Sequence, residues 1–68
     1  MWIVFFSTRD VFEAEEQLKE NDVDCIIVPT PATDKAYCGV CISTENEKAP
    51  EILSNLEFNV IRGHDDVI

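Results

Sequence analysis

Residues 2–6, Trp-Ile-Val-Phe-Phe, restrict the possible folds more than any other stretch. All five are β-branched or aromatic and none alternates with a polar residue. Such a run describes a strand buried on both faces, which only the middle of a sheet provides. The chain supplies three further short runs to flank it. Residues 23–28 form one, and Pro29-Thr30-Pro31 follows, where two absent N–H groups and two fixed φ angles predict that pairing stops. Residues 39–43 form the next. In residues 58–62, Phe58 and Val60 alternate with Asn59 and Ile61 as a last strand.

Helical spacing separates these runs twice. Ser7 and Thr8 offer caps, Asp10 and Glu13 suit a first turn, and Val11, Ala14 and Leu18 make an apolar stripe, which predicts a helix over 9–20. Pro50 is tolerated only in a first helical turn, so a second helix starts near Glu47 or Lys48. Its stripe is Ala49, Ile52, Leu53 and Leu56. The loop spans 29–37, a polar turn 44–47, and residues 63–66 end the last strand.

The order β-α-β-β-α-β is that of an α+β, ferredoxin-like fold. Right-handed crossovers give a four-stranded sheet of order 4-1-3-2 with both helices on one face, in a single domain over residues 1–68. In that arrangement we expect the first and third strands to run parallel. Cys38, at the start of the third strand, then lies near Met1 and near Arg62, Gly63 and His64. Positive charge beside a thiol favours its thiolate, so Arg62, and after it His64, become candidate supports for Cys38. The helix-free face shows apolar residues to water, a pattern that marks an interface and here predicts a homodimer.

Sixty-eight residues make one domain whose lone core is marginal without a disulfide, metal or partner subunit, and 46% hydrophobic content is that of a globular chain. Fourteen acids against five bases give a formal charge of −9, which repels phosphate backbones and anionic lipid surfaces. Neither a nucleic acid nor a membrane is therefore expected as a partner. No apolar run approaches the ~20 residues of a membrane span, and Met1-Trp2 enters an apolar run without a basic leader. Three cysteines without a secretion signal predict free thiols in the cytoplasm.

The chemistry concentrates at residues 28–43. Cys38-Gly39-Val40-Cys41 has Cys-x-x-Cys spacing, but it opens a strand rather than a helix, where the dipole would activate a thiol. Strand positions three apart face opposite sides and lie roughly 10 Å apart, too far for a disulfide. A zinc site takes four ligands, and one such pair does not demand it; no motif requires a metal or a cofactor. Cys25, inside an apolar run, reads as a small core residue, and Cys41 as structural in the same way. Cys38 follows a polar loop, and Gly39 beside it keeps the backbone approachable, an arrangement suited to a reacting group. The residues alone do not separate that role from an inert surface thiol. Nor do they separate a functional Pro29-Thr30-Pro31 from a rigid turn.

Val28-Pro29-Thr30-Pro31, a polar loop and Cys38-Gly39, with Ala14-Glu15 and Leu18 in the first helix, resemble the "putative selenium/sulfur carrier protein-like" family of small bacterial proteins. The resemblance covers almost the whole chain. It implies a protein that holds sulfur or selenium as a persulfide or selenosulfide on Cys38 and passes it from a protein donor to a protein acceptor, as a carrier rather than a complete enzyme. The pattern departs at Ala32, at Ala36-Tyr37 and at Ser43-Thr44-Glu45, so no anion-binding arginine carries over there. The alternative is a regulatory or assembly module without thiol chemistry, binding a partner through its open sheet face.

Overall fold

A computed structural model describes residues 1–30 and 37–62. Strand β1 (Trp2–Phe5) leads into helix α1 (Thr8–Glu20), then β2 (Ile26–Pro29), β3 (Val40–Ser43), the short helix α2 (Ala49–Ile52) and β4 (Phe58–Ile61). The architecture is α+β, with one four-stranded antiparallel sheet and two helices. The strands lie in the order β2-β3-β1-β4, which reads from the other edge as β4-β1-β3-β2. The doubly apolar β1 is accordingly interior.

The pairing directions correct one expectation. β1 and β3 are antiparallel, with Ile3 opposite Ile42 and Val4 opposite Cys41. The α1 crossover returns β2 in the same direction as β1, and the link from β2 turns the chain straight back into β3. β3 therefore opposes both of its neighbours.

Alternation gives the sheet two distinct faces. Ile27, Ile42, Ile3 and Val60 form a row on one of them. With Phe5 of β1, it packs against Val11, Ala14 and Leu18 of α1, Ala49 of α2, and Val23 and Leu53 just beyond the two helices, so the helices share this face. On the other face run the rows Ile26-Ser43-Trp2-Ile61 and Val28-Cys41-Val4-Asn59. Among the described residues no helix packs there, yet Val4 and Cys41 are fully buried.

Local chemistry sets the element ends. Ser7 caps α1 by accepting the Asp10 N–H at 3.3 Å. At the other end the Asn21 amide donates to Gln17 O at 2.8 Å, and Asp22 takes φ 61°. Asp tolerates this left-handed region better than most residues because its side chain is short and polar. The turn holds Val23 against α1, its N–H donating to Leu18 O at 2.9 Å, so β2 starts at Ile26 and not at residue 23. Cys25 thus precedes the strand and is half-buried at the margin of the core rather than inside it.

Helix α2 is one turn long. Asn46 Oδ1 accepts the Lys48 N–H at 2.8 Å and Pro50 occupies the first turn as expected. Leu53 and Leu56 belong to the turns that follow, because Ser54-Asn55 favours turn over helix.

Candidate functional site

Pro29 lies within β2, opposite Val40, and does not end the pairing. β2 is an edge strand, and the Thr30 N–H still donates to Gly39 O at 3.0 Å. Backbone direction alternates along a strand, so the N–H that Pro29 lacks would have pointed outward. No ladder hydrogen bond is lost there.

Thr30 makes a second contact. Its hydroxyl donates to Cys38 O at 2.8 Å, so one residue holds both carbonyls of Cys38-Gly39. From the opposite side the Cys38 N–H donates to Phe5 O at 2.9 Å. The Phe6 and Tyr37 rings stack with centroids 5.2 Å apart, and the Asn59 amide donates to the Tyr37 hydroxyl at 2.7 Å. The entry to β3 is therefore held by the ends of β2 and β1 and the start of β4. The Cys38 thiol is half-buried, packs against the helix-side core and donates to Val40 O at 3.0 Å.

Antiparallel pairing places Arg62 at the other end of the sheet. Ile61 faces Trp2, and Trp2 faces Ser43, five residues along the chain from Cys38. That is roughly 16 Å along the strands and ~10 Å across them, beyond the reach of an arginine side chain. Arg62 instead donates to Glu47 at 3.0 Å, an exposed pair of small energetic weight. Met1 is at that far end too, its ammonium donating to Thr44 O at 2.9 Å. The expected support of Cys38 by Arg62 is therefore withdrawn. Pro31, Gly63 and His64 lie outside the described residues.

Cys25, Cys38 and Cys41 are all free thiols. Cys41 is fully buried beside Val4, with its Sγ 3.9 Å from Pro29 O. Cys38 packs against the helix-side core just before β3 begins, while Cys41 lies within the strand. Burial pushes the Cys41 thiol pKa up, against a smaller lowering by the Thr30 hydroxyl and with a further rise from Cys38. For Cys25 burial again raises the pKa most; Glu15 and Asp24 add to the rise and Lys19 opposes it. Among the described residues no group of three or more His, Cys, Asp or Glu side chains is arranged to hold a metal ion. No helix there is long and apolar enough to cross a membrane. An open, acidic cleft of about 650 Å³ lies at the end of the sheet away from Cys38, lined among others by Asp24, Cys25, Thr44 and Glu45. The pinned thiol of Cys38 lies elsewhere.

A model of the family described as "Putative Se/S carrier protein-like" matches residues 1–63. The chain belongs to that family. No curated protein and no solved structure matches it. As a family member, the chain presents Thr30, Cys38 and Gly39 as one hydrogen-bonded unit although Cys38 lies eight positions after Thr30. The sequence signal for that unit was a threonine between prolines; its hydroxyl contact with Cys38 had no local spacing to reveal it. The Phe6–Tyr37 stack and the Asn59 contact carried no signal at all.

The buried thiols give a pH dependence of defined sign. Above the ordinary thiol range, near 8.5, the unfolded chain releases protons that folded Cys41 and Cys25 retain. The unfolded state then binds fewer protons than the folded one, so stability declines as pH rises from roughly 8.5 through the raised folded pKa values. Urea unfolding between pH 7 and 10.5 is expected to show this decline, and Cys41→Ala is expected to flatten it. An equal slope in the variant would contradict the assignment.

Proposed function

We infer that this protein carries a sulfur or selenium atom on Cys38, as a persulfide or selenosulfide, between a protein donor and a protein acceptor. It works as a single ferredoxin-like domain over residues 1–68, in the cytoplasm, as a carrier rather than a complete enzyme. The observation that carries this reading is the pinned, half-buried thiol of Cys38 within the stretch matched by the carrier family. Hydrogen bonds hold the backbone on both sides while the side chain stays partly accessible, which suits a group that must be presented repeatedly in one place.

The transfer is redox-neutral. The Cys38 thiolate attacks the outer sulfur of a donor persulfide, a new S–S bond forms, and the donor's thiolate leaves. Delivery to the acceptor repeats the step with Cys38 as the leaving thiolate. Before attack the thiol gives up its proton and its contact with Val40 O. Incubation with a cysteine desulfurase and cysteine is expected to add one sulfur to the intact mass, reversibly with dithiothreitol, and Cys38→Ala is expected to abolish the gain. An adduct that persists in Cys38→Ala would place the chemistry elsewhere.

A specific observation also supports association of two copies. Ile26, Ser43, Trp2 and Ile61 form a row on the helix-free face, and Ile26 remains 61% exposed. A second copy covering this row gives a homodimer, against the repulsion of two chains at −9 each. Sedimentation equilibrium at micromolar concentration is expected to show a dimer that Trp2→Lys dissociates. Monomer throughout would remove this part of the reading.

A further inference from the structure

The thiol of Cys38 makes a contact that a regular strand does not allow. Its Sγ lies 3.0 Å from the carbonyl oxygen of Val40, to which it donates. In an extended strand, residues two apart are separated by roughly 6.6 Å and their carbonyls point sideways into the ladder, out of reach of each other's side chains. Here the chain bends at Gly39 and brings the two groups together. The pairing carries the same irregularity. Regular pairing of β1 with β3 ends at Val4 and Cys41, and its register would put Val40 opposite Phe5. Phe5 O nevertheless accepts the N–H of Cys38, two residues earlier, while Gly39 keeps its place against Thr30. Cys38-Gly39 is therefore a bulge on the β1 side, a device that re-aims a side chain. It turns the S–H of Cys38 onto Val40 O.

We propose that this contact is a latch released by loading: the empty thiol is held inward on Val40 O, and a sulfur or selenium atom added to Cys38 breaks the contact and turns the side chain outward, so that the acceptor meets the cargo atom. The proposal rests on the carrier reading above and concerns how that site distinguishes its empty and loaded states. Three effects act in the same direction. The added atom replaces the S–H hydrogen, so Sγ has nothing left to donate and its lone pairs face those of the carbonyl at 3.0 Å. Cys38 also packs against a core of fully buried side chains, where a further atom fits only by overpacking. A terminal persulfide, a stronger acid than a thiol, is charged at neutral pH, and burying that charge among apolar groups without a partner is costly. Cys38 is only half-buried, so rotation about its own Cα–Cβ bond takes the new atom towards water. The backbone stays where it is, because the Cys38 N–H and O remain bonded to Phe5 and Thr30.

NMR of the Val40 carbonyl carbon reads the latch. Its resonance is expected to move to lower frequency in Cys38→Ala, which removes the donor, and to stay near the wild-type position in Cys38→Ser, which keeps one. Loading is then mimicked in a variant combining Cys25→Ala and Cys41→Ala, treated with methyl methanethiosulfonate. The Cys38 thiolate attacks the thiomethyl sulfur, an S–S bond forms and methanesulfinate leaves, giving a neutral methylthio cap on Cys38. Because the cap lacks a persulfide's charge, outward turning is harder to obtain with it than with the cargo. Expected are a Val40 resonance at the Cys38→Ala position and a cap methyl signal that a soluble gadolinium chelate broadens, without cross-relaxation to core side chains. Urea unfolding checks the fold of each variant, and the Cys38→Ala and Cys38→Ser pair, made with Cys25 and Cys41 intact, decides the matter if the combined variant does not fold. The same Val40 resonance in wild type and Cys38→Ala overturns the proposal. So does a cap methyl that is shielded from the chelate and cross-relaxes with the core. If wild type gains no sulfur from a cysteine desulfurase, the carrier reading fails and the latch loses its cargo. If wild type loads but the capped sulfur stays packed inside, the latch alone fails.

Discussion

Burial of β1 on both faces is the constraint on which the rest of the structure depends. Ile3, Val4 and Phe5 are all fully buried, although alternation sends Val4 to the face opposite Ile3 and Phe5. A strand of that kind has to be interior, so β3 and β4 flank it and β2 takes an edge. Edge placement in turn lets Pro29 sit in β2 without losing a ladder bond. Thr30 then follows with its N–H turned inward. The interior position of β1 and the geometry around Cys38 are consequences of one requirement.

The site shows how a small acidic chain holds a cysteine at the entry to a strand. Backbone groups and one hydroxyl fix the Cys38-Gly39 unit, and the Phe6–Tyr37 stack with Asn59 anchors the residue before it. Cys41, three positions along, is fully buried. It pairs opposite Val4, and burial favours its neutral form. The entry to β3 presents one cysteine and the strand itself shelters another.

Much of this was legible in residue pattern alone. The uninterrupted apolar run at residues 2–6 located the interior strand, and Val11, Ala14 and Leu18 located the buried stripe of α1. The alternation of Phe58 and Val60 with Asn59 gave the buried side of β4. Direction was harder, because periodicity describes a strand's faces and not its sense. Taking β1 and β3 as parallel moved Cys38 to the wrong end of the sheet and brought Arg62 into a role that its pairing with Glu47 excludes. Cys25 was read as core because its apolar neighbours continue past it; the turn at Asp22 holds that segment back from the sheet. Thr30 could be named but not understood. A side chain bonding a carbonyl eight residues away depends on register, which no local spacing encodes.

The central claim is that Cys38 is the working thiol while Cys25 and Cys41 are structural. Peptide-resolved alkylation by iodoacetamide of the folded protein at neutral pH tests it most directly, because all three thiols are read in one sample. The account predicts that Cys38 is modified first, with Cys41 slowest because it is fully buried and its thiol pKa is raised. Labelling of Cys25 or Cys41 ahead of Cys38 would contradict it.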